Sequence, residues 1–278
     1  MSVTTRGFTW VTSVATLDVP RHVVEYLSRL PAAHRRRIGT PKGSRALGPF
    51  RQAVLVLRRF RERGCVHCLA RDAGIPQATG YRYLHEGIDV LSEKAPDLHE
   101  VLSRCRGEGM THVILDGTLI ESDRLAGLRD NGNDLWFSQK HKAFGGNIQF
   151  LSAPDGTPLW VSDVEPGSVP DITAARLHAL PALYKAAAEG LPTLADKDYT
   201  GAGIGIRIPV RRPKGQSEEA LHADTRMPNM PLRHVRALGE RTAAELKQRW
   251  RALQHVTLSP NRIGDIARAT LALNRIWK

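Results

Sequence analysis

Over residues 1–108 the apolar positions recur three and four apart, and beyond them they gather into short runs separated by glycine, proline and polar turns. In Pro49-Phe-Arg-Gln-Ala-Val-Leu-Val-Leu-Arg-Arg-Phe60, the residues Ala53, Val54, Leu57 and Phe60 fall on one side of a helix and arginines on the other. That predicts an amphipathic helix with a basic outer face. The next stretch, Cys65 to His85, divides at Gly74. Glycine enters the left-handed conformation that ends a helix at little cost, and Pro76 suits the first turn of a following helix that carries Thr79, Tyr81, Arg82, Tyr83 and Leu84. A helix around Pro96 to Cys105, then Gly107 and Gly109, completes an all-α segment.

From residue 109 the period changes. The run His112-Val-Ile-Leu115 reads as a buried first strand ending at Asp116. A polar loop through Asn131-Gly-Asn-Asp134 leads to a second strand, Phe144-Gly-Gly-Asn-Ile-Gln-Phe-Leu151. The turn signal Pro154-Asp-Gly-Thr157 returns Pro158-Leu-Trp-Val-Ser162 as a third, so three antiparallel strands are expected. Asp171 begins a helix through Ala182, Pro192-Thr-Leu-Ala195 is a fourth strand delivering Asp196, and Ile204 to Val210 a fifth. A basic loop, Arg211-Arg-Pro-Lys-Gly-Gln216, precedes a long helix from Leu232 to Leu253 whose apolar stripe is Val235, Leu238, Thr242, Leu246 and Leu253. The expectation is an α/β chain, with a mixed-sheet domain at 109–278 preceded by an all-α domain at 1–108.

Charge adds a partner. The 278 residues carry 40 lysines and arginines against 28 aspartates and glutamates, a formal net charge of +12, and such a surplus favours a polyanion, most often nucleic acid. Two helices joined by a glycine turn over about 65–87 have the form of a helix-turn-helix. Its second helix would enter the major groove of double-stranded DNA with the early residues Gln77, Thr79, Tyr81 and Arg82 toward base edges. An ordinary helix pair is the alternative, and the flanks His34-Arg-Arg-Arg37 and Arg58-Arg-Phe-Arg61 favour DNA. Three cysteines make no disulfide framework and point to a reducing compartment. Cys65-Val-His-Cys68 is half of a zinc pattern without its second half, so both are expected as core residues. No apolar run is long enough to span a bilayer and no signal-like start is present. A cytoplasmic, nucleoid-associated protein is expected.

The candidate chemistry lies in carboxylates. Asp116 and Asp196 end apolar runs, and Glu240 sits in the charged helical stretch Leu238-Gly-Glu-Arg241. Carboxylates at strand ends, with a third from a helix, can converge on hard divalent ions, Mg2+ or Mn2+ rather than zinc. Each alone has a plainer reading: Asp-Gly-Thr as a turn, Glu240 as a solvated helix charge. Asp171 competes with Asp196, but its place after Pro170 at a helix start assigns it to capping. Lys140, His141 and Lys142, after Trp136-Phe137, offer cationic groups to phosphates, as does Lys247 on the last helix; solvated loop and helix charges are the alternative.

Asp116-Gly-Thr118, Pro166-Gly-Ser-Val-Pro-Asp171, Asp196-Lys-Asp-Tyr-Thr-Gly201, and Gly239-Glu-Arg241 with Glu245-Leu-Lys247 together resemble, in that order, bacterial insertion-sequence transposases of the DDE superfamily, near the Harbinger-like endonucleases. The resemblance runs from about Ala53 to the end and includes the segment around Lys140-His-Lys142. It implies a ribonuclease H-like catalytic domain in which Asp116, Asp196 and Glu240 hold two Mg2+ or Mn2+ ions about 4 Å apart. It also implies that the N-terminal domain binds the terminal inverted repeats of an element. The catalytic domain would then cut the ends and join them to target DNA, as a homodimer or higher oligomer on DNA.

One departure is plain. Related chains carry Asp-Lys-Gly-Tyr where this one has Asp196-Lys-Asp-Tyr199. An aspartate at 198 is poorly tolerated if the position needs positive φ, and it adds negative charge beside the expected ligands. A second reading therefore stays open, a catalytically inactive DNA-binding derivative of a transposase, and a third, a general nuclease of the same fold.

Overall fold

A computed structural model describes residues 17–130, 132–209, 239 and 241–277. Helices α1 (Arg21–Arg37), α2 (Pro49–Glu62), α3 (Val66–Asp72), α4 (Gln77–Ser92) and α5 (Leu98–Gly107) follow the helical periodicity of the first part. Gly74 takes a φ of 69° between α3 and α4, and Pro76 stands at the N-cap of α4. Close packing of α4 depends on two glycines: a β-carbon at Gly80 would lie 2.9 Å from that of Ala70, and one at Gly87 would overlap Val56. α5 starts later than Pro96 because Asp97 caps it, accepting the N–H groups of His99 at 2.8 Å and Glu100 at 3.3 Å.

The second part runs β1 (Val113–Ser122), β2 (Phe137–Ser138), β3 (Ala143–Ser152), β4 (Pro158–Pro166), α6 (Asp171–His178), α7 (Leu180–Ala188), β5 (Thr193–Ala195) and β6 (Ile206–Arg207). Helical residues 241–249 (α8), β7 (His255–Val256) and α9 (Ile263–Trp277) follow. The sheet is mixed: β3 is antiparallel to β1 and to β4, while β5 is parallel to β1 and β6 to β5. Since β3 takes one edge of β1, β5 and β7 share the other, at residues 113–115 and 121–122. The three expected antiparallel strands are present, and the chain is a mixed α/β protein.

Several boundaries are corrected. β1 does not end at Asp116 but pairs with β3 through Glu121, because Leu119 and Ile120 restore burial beyond the polar step. The helix expected from Asp171 to Ala182 breaks at Ala179, where φ is −129°. Pro181 explains this, since it lacks an N–H and its ring opposes the carbonyl four residues back. The fifth strand is confined to Ile206–Arg207. Val210, the basic loop 211–216 and the expected start of the last helix lie outside the described residues. That helix ends before Trp250 and a 3-10 turn, Arg251–Leu253.

One face of the sheet, through Ile120, Ile148 and Phe150, shares an apolar core with α1–α4 and α9. The opposite face, through Val113, Leu115 and Leu151, packs α5, α6 and α7. Part of the basic flanks belongs to this interior. Arg35 is buried and donates to the Leu47 carbonyl and to Gln52, and Arg59 donates to the Gly64 carbonyl and to Thr257. Arg61 pairs with Asp18, whereas Arg36 and Arg37 remain exposed. Cys65 and Cys68 are exposed rather than in the core, because α3 buries Val66, Leu69 and Ala70; Cys105 is buried. Among the described residues, no helix is long and apolar enough to cross a membrane.

Candidate active site

Parallel pairing of β1 and β5 sets Leu115 beside Ala195. Asp116 and Asp196 are each one residue further on, and Asp196 keeps an extended backbone. The two carboxylates therefore project from the same face of adjacent strands, whose backbones lie about 5 Å apart. Gly239, a helical residue ahead of α8, closes on Asp116: a β-carbon there would overlap Asp116 Oδ2. Glu240, the next residue, lies outside the described residues.

Asp116 Oδ1 accepts the Gly117 N–H at 2.8 Å, and Asp196 Oδ1 accepts the Asp198 N–H at 2.8 Å, capping the 3-10 turn Lys197–Tyr199. Burial, with the charges of Asp196 and Asp171, pushes Asp116 up to about 7 against the opposing Gly117 N–H and Lys140. Asp196 is raised for the same first reason, burial, with Asp198 and Asp171 adding to it and the Asp198 N–H and Lys140 opposing. A divalent cation would relieve this repulsion, and an all-oxygen donor set suits Mg2+ or Mn2+. Among the described residues no group of three His, Cys, Asp or Glu side chains is placed to hold a metal ion. The donor chemistry of the described pair, two carboxylates on adjacent strands, fits the ion.

Asp171 is not a helix cap. Pro170 occupies the N-cap of α6 and no side chain caps it. Asp171 Oδ2 instead accepts Lys140 Nζ at 2.7 Å, and Oδ1 accepts Asn147 Nδ2 at 2.8 Å. It reaches β1 at Gly117, where a β-carbon would lie 2.6 Å from Oδ1, on the face opposite Asp116. Asn147 Nδ2 also donates to the Val169 carbonyl at 3.0 Å, Gln149 Nε2 donates to Asn147 Oδ1 at 3.0 Å, and the Tyr199 hydroxyl donates to Gln149 Oε1 at 2.6 Å. All three side chains are buried. Sequence reasoning missed them; the available signal was a pair of amides at alternate strand positions flanked by Gly146 and Phe150.

Lys140 bridges Asp171 and Asp198, the latter at 2.8 Å. Burial disfavours its charge, but the hydrogen bonds it donates to both carboxylates outweigh this and lift it above the usual lysine value. Asp198 lies in the right-handed 3-10 turn, and the described non-glycine residues with positive φ are Arg63 and Lys142; the strain feared at position 198 does not arise. Lys140, His141, Asn147, Asp171 and Asp198 line a cleft of about 470 Å3. Desolvation and then Lys140 lower His141 below its ordinary value. Lys142 donates to Gln139 at 3.2 Å. Lys247 turns to β1, donating to Thr118 Oγ1 and the Leu119 carbonyl, both at 2.9 Å, and burial lowers it.

On α4, Gln77 and Arg82 are exposed, and the Arg82 guanidinium donates to Thr79 Oγ1 at 3.1 Å. Tyr81 is half-buried against the helical core and stacks on His85, with centroids 6.5 Å apart.

No curated protein and no solved structure matches the chain. The family model described as DDE superfamily endonuclease matches residues 115–275, a span that includes Asp116, Asp196 and Gly239 and covers more than half of the chain. On that match, this chain belongs to the DDE superfamily endonuclease family.

Proposed function

We propose that this chain is a transposase that binds the inverted-repeat ends of its own element, cleaves there and joins the ends to target DNA. The observation that carries the reading is the adjacency of Asp116 and Asp196 on parallel strands, with Gly239 packed against Asp116. Asp116, Asp196 and Glu240 would hold Mg2+ or Mn2+, which when bound activates the attacking hydroxyl and stabilises the leaving oxygen. The chain's own part is positioning and charge. Burial and the Gly117 N–H fix Asp116, the Asp198 N–H orients Asp196, and Lys140 offers its ammonium to a phosphate oxygen in the cleft.

In this reading residues 109–278 form a ribonuclease H-like catalytic unit and residues 1–108 a DNA-binding unit, a division of roles across a shared core. α3 and α4 act as the helix-turn-helix, with Gln77 and Arg82 toward bases and Thr79 and Tyr81 supporting them. Synapsis of two ends calls for a homodimer or higher oligomer on DNA, in the nucleoid. The pairing of Asp198 with Lys140 favours an active enzyme over an inactive DNA-binding derivative, because the extra carboxylate faces a compensating cation.

The test is cleavage of labelled duplexes carrying the sequences that flank the coding region, against shuffled duplexes, with and without Mg2+ or Mn2+. Metal-dependent cutting at the ends is expected. Binding without cutting would support the inactive derivative, and cutting without regard to sequence a general nuclease.

A further inference from the structure

We propose that Asn147, Gln149 and Tyr199 form a buried positioning relay that sets the spacing of Asp171 and Asp198 and so aims the Lys140 ammonium into the cleft. The proposal deepens the reading of that cleft as a site for DNA phosphate.

Buried amides and hydroxyls are costly unless each finds its partners, and an apolar residue at the centre of a sheet would avoid the problem. Gln149 is 0% exposed, Tyr199 1% and Asn147 6%. Their bonds have one direction. The Val169 carbonyl can only accept, so the Asn147 amide must turn its nitrogen toward Val169 and Asp171 and its oxygen toward Gln149. Gln149 must then donate through Nε2, which leaves Oε1 to accept from Tyr199. The hydroxyl is thus a donor, and the chain of bonds from Tyr199 through Gln149 and Asn147 runs toward Asp171.

The two ends of the relay reach the two arms of the lysine clamp. Asn147 grips Asp171 directly. Tyr199 follows Asp198 in the same 3-10 turn and fastens that turn to β3. Lys140 Nζ sits between the arms, 2.7 Å from Asp171 and 2.8 Å from Asp198. Space for the relay comes from Gly117, paired with Gln149 across β1 and β3. A β-carbon there would stand 2.8 Å from Gln149 Nε2 and 2.6 Å from Asp171 Oδ1. The second residue of the Asp-Gly-Thr motif therefore serves this network.

The experiment measures the rate of acetylation at Lys140 in the full, metal-free chain by an amine-reactive acetyl ester, read by mass spectrometry. Wild type, Asn147→Ala, Tyr199→Phe and the double variant are compared, with exposed Lys185 as the internal standard. Asn147→Ala, which removes a hydrogen bond to the Asp171 carboxylate, is expected to raise the Lys140 rate about tenfold, the scale of one charge-assisted hydrogen bond, and Tyr199→Phe, which removes a neutral one, about threefold to tenfold. The double variant should go little further, because both cuts open one network. In cleavage assays kcat should fall with KM for DNA little changed. Equal Lys140 rates in wild type and both single variants would overturn the relay. Should Asn147→Ala fail to fold, Tyr199→Phe, which removes one oxygen, decides alone. A wild type that cuts no DNA would sink the nuclease reading and leave the labelling result to decide the relay.

Discussion

Gly239 presents bare backbone to the Asp116 carboxylate, so that a β-carbon there would overlap Oδ2 and lie 2.9 Å from Cγ. Asp116 cannot simply swing aside, because its other oxygen holds the Gly117 N–H. Gly239→Ala should therefore either displace α8 or rotate Asp116. The expected cost is about 1–3 kcal/mol in urea unfolding, as for other overpacked sites, together with a large loss of metal-dependent cleavage. Gly48→Ala, with nothing within 4 Å of its new β-carbon, is the matched control. Wild-type cleavage by Gly239→Ala would mean that α8 does not confine Asp116.

The faces of β1 rank the carboxylates. Asp116 and Asp196 share a face, whereas Asp171 comes to Gly117 from the other. Asp116→Asn and Asp196→Asn are expected to abolish cleavage in Mg2+ and Mn2+. Asp171→Asn should retain activity reduced about 10- to 100-fold, the usual effect of disturbing a supporting partner. Steady-state rates on an end-containing duplex check this, and activity surviving Asp196→Asn but lost in Asp171→Asn would reverse the assignment.

Asp116 also predicts a pH dependence. Its folded-state value, about 7, lies above the ordinary carboxylate value near 4, so the folded chain holds this proton longer than the unfolded chain does. The stability this contributes is fully present below about pH 4 and is lost as pH rises through about 7. Solvent at this half-buried group keeps the effect to a few kcal/mol at most. In chelator, the unfolding midpoint should fall across that window, and Asp116→Asn should flatten the fall. An unchanged pH profile in the variant would remove Asp116 as the source.

Most strands were legible because Val113 to Leu115 is an apolar run, and Ile148, Phe150 and Leu151 supply apolar positions around Gln149, that a sheet must bury. What lay beyond them was not, for physical reasons. A glycine between Asp116 and Thr118 looks like a turn until β3 supplies Gln149 as its partner across the strands. Local rules assign Asp171 to its own helix, but Lys140 and Asn147, 31 and 24 residues away in sequence, capture both oxygens. Tyr199 reaches Gln149 across 50 residues, and no periodicity encodes such a contact. That Asp116 and Asp196 each end a strand-like run was readable; that their strands are neighbours was implied only by the resemblance, and their parallel pairing is set by the long-range contact of β1 with β5.

In the proposed reading, recognition of element ends would rest on α4. Arg82 is exposed, and its guanidinium leans on Thr79 Oγ1 at 3.1 Å, which holds it over the first turns of the helix. Tyr81, by contrast, is tied into the core and to His85, so its replacement should disturb folding before it disturbs base reading. Arg82→Ala is expected to cost about 1–3 kcal/mol of binding to the inverted repeat, the range of one good base contact, with little change on a shuffled duplex. Binding of both proteins to both duplexes is measured by fluorescence anisotropy across a salt series. Because a base contact neutralises no phosphate, the salt slope on the repeat should stay the same. A variant that weakens equally on both duplexes, with a shallower slope, would make Arg82 a phosphate contact, and unchanged binding to the repeat would take α4 out of the recognition surface.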